Sequence, residues 1–182
     1  MASIKLKGDT SGEITISSPS VAGTNTLTLP ASTGTLVTTA TSGKVLQVVT
    51  ANYSTQATSS TTTYADTGLT ATITPSLSTS KVLVVVHQNG GFASAGATTN
   101  GLLAKLLRGA TDLAVFCESV GYTATALQQY VATASITYLD SPATTSATTY
   151  KTQFKNVSAT SVAVFQAGGL STSTITLMEI GV

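Results

Sequence analysis

The side chains able to do chemistry are few and scattered. The 182-residue chain has one histidine, His87, one cysteine, Cys117, and seven carboxylates. A pair of Cys117 with His87, or a triad of a serine with His87 and Asp112, needs those groups within hydrogen-bond reach. The sequence around them carries no nucleophile elbow or comparable signature. The expectation is a protein that is not an enzyme. His87 then closes a buried strand, its ring satisfied by a backbone carbonyl, and Cys117, within Ala114-Val115-Phe116-Cys117, fills core. No group of ligands stands at a recognised metal spacing, so neither a metal nor a cofactor is expected. Residues 89–96 (NGGFASAG) are glycine-rich but lack the lysine and following helix of a phosphate-binding loop. They read as a flexible connection between strands, of the kind that contacts partners at the end of a sandwich.

The composition restricts what could position such groups. Charged residues are 8% of the chain, against about 25% in an average soluble domain. Ser and Thr supply roughly a third of the residues and must form the polar surface. Thr is β-branched and suits a pleated, half-buried face better than a helix, which favours strands. Lys and Arg number 8 against 7 acidic residues, so no basic stripe exists to neutralise a row of phosphates, and nucleic acid is not an expected partner. One cysteine makes no intrachain disulfide. The opening Met1-Ala2-Ser3-Ile4-Lys5-Leu6-Lys7 lacks the apolar stretch of a secretory signal, and no run approaches the ~20 apolar residues that span a bilayer. A cytoplasmically made protein with no membrane partner is expected.

The length suits one domain with a core, preceded by about forty residues of a different character. In residues 1–42, short alternating pieces at Glu13 to Ile16 and Thr26 to Leu29 are separated by Gly8, Gly12, Pro19, Gly23, Pro30 and Gly34. Alternation places Ile14, Ile16, Leu27 and Leu29 on apolar faces of ribbons too short to hold a core, which need a partner surface. The alternative is a flexible Thr/Gly linker.

Residues 43–182 carry longer strand signals at 44–50, 61–69, 71–74, 81–88, 113–120, 127–138, 148–156, 162–166 and 174–180, at the 8 to 12 residue spacing of a β-sandwich or jelly roll. Lys81 to Gln88 (KVLVVVHQ) is apolar on both faces and reads as a strand buried on both sides. Leu102 to Arg108 (LLAKLLR) followed by Gly109 has good helix formers and a C-terminal glycine, which suits a turn or two of helix. The surplus of apolar residues in these two segments fits either oligomerisation or one thick core.

Three stretches resemble a family of phage fibre and virion-decoration proteins: Gly12 to Leu36 (GEITISSPSVAGTNTLTLPASTGTL), Gly43 to Val48 with Ile73 to Val84 (GKVLQV and ITPSLSTSKVLV), and Thr174 to Ile180 (TITLMEI). The resemblance implies an all-β fold in which an extended virion-attachment arm, residues 1–42, precedes a jelly-roll-like sandwich, residues 43–182, that forms a homotrimer. It leaves 89–171 unmatched. The implied function is a capsid-decorating cement or short head-fibre protein, assembled in the host cytoplasm and attached to phage capsid or tail proteins through Ile14, Ile16, Leu27 and Leu29. The alternative is a tail-fibre knob or adaptor binding a host surface glycan, with a small jelly-roll hydrolase as a remote third. A threefold axis could gather copies of His87, Asp112 or Asp140 around an ion. The tripeptides Asn52-Tyr53-Ser54 and Asn156-Val157-Ser158 match a glycosylation acceptor that has no meaning in a cytoplasmically assembled phage protein.

Overall fold

The computed structural model describes residues 3–17, 20–21, 23–24, 43–94, 100–123, 132–159 and 162–182. They divide into two units, Met1–Leu36 and Val37–Val182. The boundary expected at 42/43 abuts a stretch outside the described residues. Among the described residues there is no α-helix, and none is long and apolar enough to cross a membrane.

The first unit holds two antiparallel strands, β1 (Ser3–Lys7) and β2 (Glu13–Ser17). The second contains β3 (Val45–Tyr53), β4 (Ala57–Ser59), β5 (Ala65–Ile73), β6 (Lys81–Ser94), β7 (Asn100–Arg108), β8 (Thr111–Thr123), β9 (Ala132–Asp140), β10 (Thr148–Asn156), β11 (Val162–Phe165) and β12 (Ser173–Ile180). Period-2 burial explains why these segments are strands. Along β10, Tyr150, Thr152, Phe154 and Asn156 are buried, while Thr149, Lys151, Gln153 and Lys155 alternate with them toward solvent.

One sheet has the order β5-β10-β7-β8. The other is built around β6, which pairs with β12, β11 and β9. β12 and β11 follow one another along a single edge of β6. The Asn89 amide donates to Ser173 Oγ at 2.9 Å, and the Asn89 carbonyl accepts from the Gln166 amide at 3.0 Å. β3 and β4 flank them in turn, so each pair acts as one bent strand. Eight strands then lie in two four-stranded sheets, with sequence orders 1-8-3-6 and 2-7-4-5. This is jelly-roll connectivity, with the two sheets packed face to face.

Two apolar clusters fill the sandwich. The first contains Leu69, Ile73, Val82, Val84, Val86, Leu106, Tyr150, Ile175 and Leu177. The second is centred on Leu102, Phe154 and Phe165, with Cys117 against them. A buried polar layer separates them. The Thr67 and Thr152 hydroxyls share a hydrogen bond, Thr152 Oγ1 donates to Gln88 Oε1 at 2.9 Å, and the Gln88 and Gln166 amides donate to Ser173 Oγ at 3.2 and 2.8 Å. This chain crosses from one sheet to the other. A one-residue slip of any contributing strand would strand buried donors, so the layer fixes register.

Three sequence expectations are corrected. Leu102 to Arg108 is strand β7, not helix. It pairs on both sides, with β10 and β8, and sends Leu102, Ala104 and Leu106 inward. Tertiary pairing overrides the helix propensity of Leu and Lys. Gly109 terminates it in a tight turn into β8. Residues 89–94 are no loop but continue β6, and Gly91 is there for space. A Cβ on it would lie 2.6 Å from the Phe165 ring. Finally, β6 is fully buried on one face only, through Val82, Val84, Val86 and Gln88, whereas Leu83 and Val85 on the other are half-buried.

Candidate functional site

The hairpin of the first unit has two chemically distinct faces. Register pairs Ile4 with Ile16 and Leu6 with Ile14, so all four project to one side. Lys5, Lys7, Glu13 and Thr15 occupy the other, where Lys5 Nζ lies 2.7 Å from Glu13 Oε1. The connection closes through the Gly8 amide, which donates to the Gly12 carbonyl at 3.1 Å. Relative exposures of Ile4, Leu6, Ile14 and Ile16 are 64, 54, 68 and 49%. Soluble domains put such residues inside; here an entire strand-pair face of aliphatic side chains meets water. Of the expected attachment residues, Ile14 and Ile16 thus share this face. Leu27 and Leu29 lie outside the described residues.

The groups considered for catalysis are kept apart. His87 is exposed on β6, in register with Thr174 and Ser135, and is not the buried strand end that was expected. Its neighbours Val86 and Gln88 take the inward positions, and the two-residue period turns His87 out. Cys117 points the opposite way, into the core from β8, with its Sγ donating to the Leu102 carbonyl at 3.4 Å. Asp112, exposed at the start of β8, accepts from Lys105 Nζ at 2.7 Å. Asp140 is buried and engaged by Arg108 Nη1, at 2.9 and 2.8 Å to its two oxygens, and by the Tyr150 hydroxyl at 2.7 Å. Burial, then the bond to Asp140, pushes the Tyr150 hydroxyl above its ordinary range. Among the described residues no three of His, Cys, Asp and Glu gather where a metal could be held.

The outer faces of the two sheets differ in charge. The β5-β10-β7-β8 face carries Lys151 3.0 Å from Asp66 as well as the Lys105–Asp112 pair. Lys105 and Lys155 also sit over the Tyr64 ring, 4.2 and 4.8 Å from its centre. Burial alone would raise the Asp66 carboxyl, but hydrogen bonds from Gln153 and Lys151 and the lysine charge hold it below its ordinary value.

No family model and no curated protein sequence matches the chain. Among solved structures it is similar to the infectious bursal disease virus VP2 subviral particle, with a TM-score of 0.40 at 13% identity over 75% of this chain. It spans 37% of the length of that protein. The jelly-roll assignment rests on the strand connectivity and not on this likeness.

Sequence reasoning missed half of the apolar hairpin face. Ile4 and Leu6 were legible: Ser3-Ile4-Lys5-Leu6-Lys7 alternates as cleanly as Glu13-Ile14-Thr15-Ile16, and Gly8, Asp9 and Gly12 supply a turn between them. Two such runs separated by five residues form a hairpin whose paired apolar positions must coincide.

Proposed function

We propose that this chain is a non-catalytic structural component of a virus particle. In its finer form the reading is a phage capsid-decorating cement or short head-fibre protein that acts as a homotrimer and attaches by its N-terminal arm. The observation that carries it is the exposed face of Ile4, Leu6, Ile14 and Ile16. A two-stranded ribbon is marginal on its own in water, and an aliphatic face of this kind gains stability by lying on another protein. Covering four half-exposed aliphatic side chains is worth about 1 kcal/mol each, too little to anchor one arm firmly. Three arms on one trimer bind with avidity, which is how a small face becomes a durable attachment. Leu27 and Leu29 repeat the same alternation in the sequence. The separation of His87, Cys117 and Asp112 supports a mechanical role over a hydrolytic one.

The test is incorporation into particles. Deleting residues 1–42 should leave cooperative unfolding of the sandwich intact and remove the protein from purified virions. Replacing Ile14 and Ile16 with Ser should weaken particle binding roughly tenfold or more, as expected for about 2 kcal/mol per arm. Virions that retain the deleted protein at full occupancy would overturn the reading. Density confined to the tail would favour the receptor-binding alternative.

A further inference from the structure

The outward face of the sheet around β6 is nearly free of charge. Its register brings Val48, Met178, Leu83 and Leu139 into one row across β3, β12, β6 and β9. Val48 and Leu139 are 56 and 52% exposed, and Met178 and Leu83 are half-buried. The next row is Thr50, Thr176, Val85 and Thr137, with the Thr50 and Thr176 hydroxyls 3.2 Å apart. Among the described residues the titratable groups of this face are Lys81 at one end of β6 and His87 near the other. The opposite sheet, with Asp66, Lys105, Asp112 and Lys151 in ion pairs, has the surface expected of a face that stays in water.

We infer that the Val48–Met178–Leu83–Leu139 face is the surface through which copies of this chain bind one another. Interface centres are depleted of charge and rich in aliphatic groups and Met, as here. A neutral face sets no like charge against a neighbouring copy, including one related by a threefold axis, so a second copy is its natural occupant. The hairpin is a poorer one, because two strands about 5 Å apart cannot cover four. Four strands at that spacing, over the seven residues from Lys81 to His87, give a footprint of roughly 19 by 24 Å. A neighbouring copy set against such a face buries on the order of 1,000 Å² in total, the lower end for specific contacts, as suits a weak and reversible association. The inference deepens the oligomer in the reading above and is independent of attachment to a particle.

Sedimentation analysis of the full chain tests it. The wild type should self-associate at tens of micromolar, and Leu83→Lys should weaken that association at least tenfold, toward monomer. Leu139→Lys, at a more exposed position, should act in the same direction and decides the matter if Leu83→Lys loses its cooperative unfolding. Val115→Lys, exposed on the other sheet, should leave the association unchanged. A wild type monomeric up to about 1 mM, or lysine variants that associate like the wild type, would overturn the inference. So would loss of association on deleting residues 1–42, which would make the arm the occupant. Deletion that abolishes virion incorporation but spares self-association leaves both readings standing, and variants that lose one property alone separate them.

Discussion

Glu179 offers the sharpest test of how the sandwich is held. It is fully buried at the end of β12, and among the described residues no Lys or Arg forms an ion pair with it. Its carboxylate instead accepts from the Ser76 amide at 2.8 Å, the Ser76 hydroxyl at 2.7 Å and Gln47 Nε2 at 2.6 Å, tying β12 to β3 and to the loop after β5. Burial pushes this carboxyl up, but the donated hydrogen bonds outweigh it and hold the group at about 2 against an ordinary 4.5. A carboxylate depressed in the folded state adds stability above its unfolded value, and that stability is lost as pH falls through the interval toward the folded value. A drop from 4.5 to about 2 corresponds to on the order of 3 kcal/mol, of which about 2 is gone by roughly pH 3. Against a typical total of 5 to 15 kcal/mol this is a large share. Urea unfolding of the wild type and Glu179→Gln at neutral pH and near pH 3 measures it. The variant should be about 1 to 3 kcal/mol less stable at neutral pH, because its amide meets donors with a donor. Its loss on acidification should be smaller than the wild type's by about 2 kcal/mol. Equal acid sensitivity in the two proteins would refute the assignment.

The Arg108–Asp140–Tyr150 cluster joins β7, β9 and β10 and so ties the two sheets together. Asp140→Asn should cost about 2 to 3 kcal/mol in chemical denaturation and Tyr150→Phe about 1 to 2. The double variant should cost less than both together, since each alone leaves a partner unsatisfied; strict additivity would show that the groups act independently. Gly91→Ala should destabilise by about 1 to 3 kcal/mol, because the Phe165 ring it meets is buried edge-on against Phe154, with centroids 5.5 Å apart, and cannot move aside. A melting temperature equal to that of the wild type would show that β11 yields more easily than its packing implies.

Strands with a strict two-residue period were legible, and those whose role depends on distant partners were not. Thr148 to Asn156 was read with its observed bounds because Tyr150 and Phe154 alternate with Lys151 and Lys155. Leu102 to Arg108 misled because Leu suits both a helix and a strand, and only β10 and β8 on either side decide between them. Residues 89–94 misled for a related reason. Glycine normally signals a turn, but Gly91 is required by a ring contributed from residue 165, which no local window contains. The polar layer of Gln88, Thr152, Ser173 and Gln166 was equally hidden, since each residue alone reads as surface. At the candidate site, Ile14 and Ile16 were found by alternation, while Ile4 and Leu6 were passed over although the same pattern marks them.

The economy of charge connects the fold to its surfaces. A chain with 15 ionisable acidic and basic residues other than histidine has few to place. Asp140 and Glu179 are committed inside, and Asp66, Lys105, Asp112 and Lys151 form ion pairs on a single sheet. Lys5 and Glu13 pair on the polar side of the hairpin. Among the described residues, two surfaces are left without charge, the aliphatic hairpin face and the Val48–Leu139 row, each backed by an opposite side that does carry charge or core. Random depletion of charge would thin all faces alike. Segregation of this kind instead leaves two surfaces that water solvates poorly and that another protein surface can cover without burying an unpaired ion. Introducing one lysine into either therefore tests more than a local contact: on the hairpin face it should weaken particle binding and spare self-association, and on the Val48–Leu139 row it should do the reverse.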